Sequence, residues 1–229
     1  MSYRSALVTG ANSGIGAAFV EALAGRTEVL LAGRRSDRLA ALVEQAAAPG
    51  LSYVAADLAM PGGCERVIAA ARRRGVDLFV HNAAVARYGP FLEKPLADEL
   101  DLVRVNVLAA VELFHSLIPM MLQNAKSYGG RAGVIAVSST AAVNTAAKPN
   151  MATYGASKSF MLRLVESLAA ELKDEPIDFL ALCPTYTATN HFARAGIPID
   201  HLARPMMSPQ EVARQGLAAI GEKTVHVCE

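Results

Sequence analysis

Apolar residues in this chain follow two alternating patterns. Short runs rich in strand-forming residues, at 6–8, 28–32, 52–55, 78–81, 134–137, 177–182 and 224–227, hold few charges and do not alternate polar with apolar positions. Runs of that kind suit strands buried on both faces, as in a parallel sheet. Between them lie stretches long enough for crossover helices. Two of these, 100–123 and 153–172, repeat their apolar positions at intervals of three and four and are apolar on more than one face. The pattern predicts an α/β fold with a doubly wound, parallel, seven-stranded sheet and right-handed connections. No repeat or linker divides residues 1–229, so the chain reads as a single domain. Residues 184–208 are rich in Pro, Thr, Ala and Gly, with Phe192, Ile197 and Ile199 interspersed. They predict a lid at about 185–208 that orders over a ligand, followed by a helix at 209–221.

Composition narrows the function classes. Of 229 residues, 52% are apolar and 19% charged, which suits a sheet covered by helices. A net charge of +1 gives no electrostatic footprint for nucleic acid or an anionic membrane. The basic run Arg72 to Arg74 precedes Gly75 and reads as a solvated helix end. The longest apolar candidate for a membrane span, 102–122, contains Arg104, Asn106, Glu112 and His115, so no span is expected. Cys64, Cys183 and Cys228 are odd in number and lack metal-type spacing. The expectations are a reduced, cytoplasmic setting and no metal site.

The first strand runs into Thr9, Gly10, Ala11, Asn12, Ser13, Gly14, Ile15 and Gly16, and then into a helix-forming stretch at 17–24. Glycines permit a tight turn there, and the amides and dipole of a helix start favour a phosphate. No P-loop lysine follows. The spacing, with three residues between Gly10 and Gly14, resembles the glycine motif of the short-chain dehydrogenase/reductase family. Further matches fall in order along nearly the whole chain: His81-Asn82-Ala83-Ala84 after the fourth strand, Asn106 in the next helix, Ser138-Ser139 after the fifth strand, and Tyr154-Gly155-Ala156-Ser157-Lys158. The chain is thereby identified as a member of that family, with the Rossmann-like fold the family implies.

A dinucleotide-binding sheet commonly ends its second strand in an acid that bonds the ribose 2′-hydroxyl and repels a 2′-phosphate. Here Gly33 stands in that place and Arg34 and Arg35 follow, which favours NADP(H) over NAD(H). The resemblance implies that Gly10, Asn12, Ser13, Gly14, Ile15 and Gly16 hold the pyrophosphate side. It implies that Asp57 and Leu58 meet the adenine and that Asn82, Ala83 and Ala84 line its ribose. Pro184, Thr187 and Thr189 match the segment beside the nicotinamide. Ala84 and Thr185 stand where the family usually has glycine. Either the local turn differs or the position needs no positive φ.

Tyr154 and Lys158 are four residues apart and share one helix face. A tyrosine titrates near 10, and a nearby ammonium would lower that toward neutrality. By resemblance, Tyr154 passes the proton to and from the substrate oxygen, Lys158 holds the nicotinamide ribose, and Ser139 orients the oxygen. The stretch from Ser139 to Tyr154 is slightly longer than usual, so Ser138 or Thr140 is the alternative if the extra residues shift the serine. Asn106, inside an apolar stretch, either faces solvent or joins a functional network. The resemblance implies the latter, supporting a water that leads to the lysine. Tyr186, His191 and Phe192 are candidate pocket walls.

The expected function is hydride transfer between NADP(H) and a small carbonyl or alcohol substrate, as a ketone or aldehyde reductase. An acyl-chain or cyclic ketone is favoured, since the lid is mostly apolar and shows no clamp for a carboxylate. A non-catalytic NADP-binding or scaffold protein is the alternative. The two long helices predict a homodimer or homotetramer.

Overall fold

A computed structural model describes the protein over residues 3–144, 149–197 and 206–228, with the side chains of His191 and Phe192 outside the description. Seven strands form one sheet: β1 (Ser5–Thr9), β2 (Glu28–Gly33), β3 (Leu51–Ala55), β4 (Leu78–His81), β5 (Ala132–Val137), β6 (Ile177–Cys183) and β7 (Val225–Val227). Their order is β3-β2-β1-β4-β5-β6-β7, and every pair is parallel. The expected doubly wound α/β architecture is therefore present. Each predicted strand forms within a residue or two of its expected ends.

The inner strands β1, β4 and β5 are buried at every residue, while the edge strands β3 and β7 are not. This explains the missing alternation: both faces of the inner strands are covered. On β1, Leu7 packs into one core while Ala6 and Val8 pack into the other. The first core receives α3 (Gly63–Arg74), α5 (Ala109–Tyr128) and α7 (Ala152–Glu171) through Val67, Leu113 and Val165. The second receives α1 (Gly14–Leu23), α2 (Ser36–Ala46) and α9 (Pro209–Ala219) through Phe19, Leu39 and Val212. Truncating a fully buried side chain such as Phe19 to alanine costs about 3–5 kcal/mol in cores of this kind.

The helix expected at 100–123 is longer and less regular. α4 (Leu96–Val103) runs through a π-helical turn at Arg104–Leu108 directly into α5, giving a continuous helical run from Leu96 to Tyr128. Pro95 precedes its start, and Gly129, with φ of 68°, ends it. By length and composition this run could cross a bilayer, with a mean hydropathy of 1.7 over its most apolar stretch. Half of that stretch is buried in the fold, and Leu113, Leu117 and Met121 face the sheet, as in a core helix. Arg72, Arg73 and Arg74 do fill the last turn of α3 before Gly75.

Two short helices complete the chain, α6 (Thr140–Val143) and α8 (His191–Ala195). α8 lies inside the expected lid, a segment whose composition did not announce a helix. Residues 198–205 of that lid lie outside the described residues.

Candidate active site

Ligands of doubly wound sheets gather at the carboxyl ends of the strands, where the strand order reverses. Here that point lies between β1 and β4. Thr9 ends β1, and its Oγ1 accepts the N–H groups of Asn82 and Ala83, each at 3.1 Å. Asn82 Nδ2 donates back to the carbonyls of Thr9 (3.1 Å) and Gly10 (3.2 Å). The turn after β4 is thus fastened to the turn after β1. Gly10 has a φ of +64°, and a Cβ there would lie 2.8 Å from Asn82 Nδ2. At Gly16 a Cβ would collide with the Gly10 carbonyl. The close packing leaves the start of α1 open to a cavity of about 830 Å3, within the roughly 300–1,000 Å3 usual for cofactor sites.

That cavity runs past most of the residues expected from the sequence. Gly10, Asn12, Ser13, Gly14 and Ile15 line it at the glycine turn. Arg34, Arg35, Asp57 and Leu58 line it at the ends of β2 and β3, and Asn82, Ala83 and Ala84 at the end of β4. Ser139, Tyr154 and Lys158 line it beyond β5, and Pro184, Tyr186, Thr187 and Thr189 beyond β6. Gly16 and Asn106 stand behind the wall and act on it through their neighbours. The expected wall residues His191 and Phe192 have side chains outside the description.

At the β2 end the two arginines differ. Arg35 is engaged with Asp37 at 2.8 Å, whereas Arg34 lies 4.0 Å from Asp57 with most of its side chain exposed. Arg38, in the first turn of α2, also lines the cavity, and its local sequence does not mark it. Among the described residues, Ala47 and Asn150 are the non-glycine residues with positive φ. Ala84 and Thr185 therefore sit in ordinary backbone, and neither replacement strains its turn. Thr185 O accepts the hydroxyl of Thr187 at 3.0 Å.

The candidate hydroxyls differ in their partners. Ser138 Oγ points into the core, donating to the Lys158 carbonyl at 2.8 Å. Ser139 caps α6, its Oγ accepting the Ala141 N–H at 3.1 Å, and it hydrogen-bonds Tyr154. Because an N–H donates to that oxygen, the Ser139 proton remains to be donated. The Thr140 N–H is tied to the Pro184 carbonyl at 3.0 Å, so the β5 and β6 ends meet beside Ser139. The extra residues before Tyr154 do not displace the serine. They include a turn at Pro149 and Asn150, with residues 145–148 outside the described residues.

Tyr154 is 9% exposed, and burial pushes its phenol up to about 12, with the Ser139 hydrogen bond acting in the opposite direction. Lys158 Nζ donates to the Val137 carbonyl at 2.8 Å and lies 5.7 Å from the Tyr154 ring centre. Burial pushes this ammonium down to about 8. Burial and the Ser139 hydrogen bond set the phenol here, and Tyr154 holds its proton at neutral pH. His81, buried and edge-on to Phe79 and Phe114, is pushed down to about 3 by burial and by the Lys158 charge, so it is neutral.

Asn106 is 3% exposed and sits in the π-helical turn. Its Oδ1 accepts the Val85 N–H at 2.8 Å, and its Nδ2 donates to the Val85 carbonyl at 2.9 Å and to Ser157 Oγ at 3.0 Å. The residue belongs to a network and does not face solvent. Its side chain clamps the loop after β4 to α7.

The match to known proteins follows this geometry: residues 4–197 fit the short chain dehydrogenase family. The chain belongs to that family. As a short-chain dehydrogenase it is an oxidoreductase. An uncharacterized oxidoreductase of Myxococcus xanthus (strain DK1622) is 32% identical over 217 residues, 90% of this chain and 83% of that protein. A 7beta-hydroxysteroid dehydrogenase of Collinsella aerofaciens is 28% identical over 95% of this chain and 82% of its own length. A solved short-chain dehydrogenase from Sphingobium yanoikuyae, in complex with NADPH, superposes with a TM-score of 0.88 at 27% identity, covering 98% of this chain and 87% of that one.

The mouth of this dehydrogenase's cavity was less legible. Tyr88 N–H donates to the Ala195 carbonyl at 2.9 Å, and Gly89 N–H to the Asn150 carbonyl at 3.0 Å. Asn150 Nδ2 reaches Tyr88 Oη at 3.2 Å. Three separate loops are strapped together around Tyr154, with Ala86, Leu102 and Ala195 packed in the same small cluster as its ring. Nothing in the local sequence of Tyr88 marks it, because its role comes from loops brought together by the fold.

Proposed function

We propose that this short-chain dehydrogenase is an NADP(H)-dependent reductase of ketones or aldehydes. The observation carrying this reading is the Ser139 and Tyr154 hydroxyl pair beside Lys158, in one cavity with the glycine turn and Arg34. The residues suit the cofactor. Crowding at Gly10 and Gly16 keeps the turn tight enough for a pyrophosphate to approach the amides at the start of α1. Arg34, loosely held and beside Gly33, offers a planar guanidinium to a 2′-phosphate, with Arg38 nearby and Arg35 partly engaged elsewhere. Asp57, Leu58, Asn82, Ala83 and Ala84 wall the adenosine side. Pro184, Thr187 and Thr189 wall the nicotinamide side, which Thr187 reinforces through the bridge to Met207.

When bound, the nicotinamide supplies the hydride. The protein's part is to place the carbonyl carbon against it and to manage the proton. Ser139 donates a hydrogen bond to the carbonyl oxygen, stabilising its developing charge. Tyr154, which holds its proton at neutral pH, donates it to that oxygen and leaves an alcohol. The phenolate so formed faces the Lys158 ammonium and is reprotonated from solvent between turnovers. Alcohol oxidation is the reverse. We place the enzyme in the cytoplasm, given its three unpaired, buried thiols, as a homodimer or homotetramer.

The test is a fluorescence titration with NADPH and NADH, followed by turnover of a carbonyl panel. NADPH should bind more tightly, and Arg34→Ala should remove that advantage. Tyr154→Phe should lower kcat by about 10²–10⁴-fold, the range of general acid catalysis. Equal binding of both cofactors would overturn the NADP preference. Binding without turnover of any carbonyl, unchanged by Tyr154→Phe, would overturn the catalytic reading in favour of a binding protein.

A further inference from the structure

Ala86 and Ala195 come from opposite sides of the mouth, one from the loop after β4 and one from α8, and both pack in the cluster containing Tyr154. Their neighbours Arg87 and Arg194 both line the cavity. Each arginine is thus one residue along the chain from an alanine that packs with Tyr154. Arg87 is partly engaged, donating to the Ala86 carbonyl at 3.1 Å and lying 3.7 Å from Asp98, which stands outside the cavity. Arg194 is exposed, and no ion pair among the described residues ties it.

Charge balance within the cavity is lopsided. Among the described residues lining it, the one carboxylate is Asp57, which lies beside Arg34. Those two sit at the ends of β3 and β2, on the far side of β1 from β4 and β5, so they belong to the cofactor end. Arg194 has no such counter-charge among the described ion pairs, and those beside Arg87, Asp98 and Glu99, stand off the cavity wall. A concave site with one sign of charge concentrates ligands of the other sign. A guanidinium takes carboxylate or phosphate oxygens with two parallel hydrogen bonds.

We propose that the substrate is an anionic carbonyl compound. Its carbonyl oxygen meets Ser139 and Tyr154, while a carboxylate or phosphate carried farther along the molecule pairs with Arg194, supported by Arg87. This rests on the reductase reading above and adds the substrate class to it. It also revises the expectation, drawn from the apolar composition of residues 184–208, that the site holds no clamp for a carboxylate.

The test compares matched substrates with NADPH. One arm sets oxo acids of increasing chain length against their methyl esters. The other sets a 3-oxoacyl thioester of 4′-phosphopantetheine against the same thioester of pantetheine. In at least one arm the anionic member should have the higher kcat/KM by about tenfold or more, as expected where a charged group meets a dedicated partner. A preference in the first arm identifies a carboxylate, and in the second a phosphate. Arg194→Gln should abolish that ratio by raising KM for the anion much more than it lowers kcat, and Arg194→Lys should restore part of it.

A neutral member equal or superior in both arms overturns the proposal while leaving the reductase reading standing. An anion preference that survives Arg194→Gln overturns it as well. So does an Arg194→Gln variant whose loss is confined to NADPH affinity in the titration, which would assign this arginine to the cofactor. Absence of turnover with every carbonyl, charged or neutral, is the separate result that fails the reductase reading itself.

Discussion

Asn106 pairs with the backbone of Val85 through two hydrogen bonds, as a neighbouring strand would, and spends its remaining donor on Ser157. One side chain thus joins the loop after β4, the π-helical turn and α7. Asn106→Ala would leave the half-buried Val85 N–H and carbonyl without these partners, on a wall that water in the cavity can reach. Lost hydrogen bonds of this kind contribute about 0.5–1.5 kcal/mol each, so a loss of about 1–3 kcal/mol is expected in urea unfolding. The kcat for carbonyl reduction should fall with it. Unchanged stability would show that Val85 finds other partners.

Lys158 and Tyr154 give the pH dependence its direction. Burial lowers the ammonium to about 8 and raises the phenol to about 12. Between those values Lys158 has lost its proton while Tyr154 keeps its own. The kcat/KM for reduction should be level below pH 7 and fall as pH rises through about 8, reporting the free enzyme. In Lys158→Met the activity should be lower throughout and the limb near 8 should vanish. A limb that persists in that variant would assign it to another group.

Lys94 and Glu99 form an ion pair at 2.5 Å with side chains only 10% and 7% exposed. Burial works against the Glu99 charge, but hydrogen bonds from Lys94 and from Thr153, one residue before Tyr154, hold the carboxyl below its usual range. Removing one partner strands the other, which costs about 3–5 kcal/mol for buried pairs. Lys94→Met should therefore lower stability to urea by that order. The double variant Lys94→Met with Glu99→Leu should recover most of it, since apolar replacements of both partners avoid the stranded charge. Equal losses in single and double variants would contradict this.

The outward side of the long helical run carries exposed apolar residues in its first half, interrupted by Arg104. Leu96 is 71% exposed and Leu108 58%, with Leu100 and Val111 exposed beside them. Sequestering such a surface is the expected role of a second copy. Light scattering at micromolar concentration should give a dimer or tetramer, and Leu100→Glu with Leu108→Glu should shift the protein toward monomer. A wild-type monomer would refute the assembly.

Much of this was legible in the sequence because it depends on local rules. The strands were visible as charge-poor runs, and the glycine turn, Ser139, Tyr154 and Lys158 stand next to strand ends or within one helix. Ser139 was preferred to Ser138 from the sequence, and the structure adds that the Ser138 hydroxyl is spent on the Lys158 carbonyl. Arg87, Arg194 and the Tyr88 strap were not visible, because their meaning lies in loops distant in sequence that meet over Tyr154. The burial of the Tyr154 ring was not legible for a related reason: spacing reveals a neighbouring lysine but not how deeply the phenol is covered.

The π-helical turn at Arg104–Leu108 sets a limit on how this protein can change. Such a turn holds one residue more than an α-helical one, so the two halves of the run are offset by about 100° relative to a regular helix. Upstream of it, Leu96 and Leu100 look outward while Glu99 and Leu102 look in; downstream, Leu113, Leu117 and Met121 look toward the sheet. Deleting a single residue within the turn would make the helix more regular and, by rotating one half against the other, unfit Asn106, the outer leucines or the core. The irregularity acts as a gearing between surface and interior, so this segment tolerates substitutions more readily than changes of length.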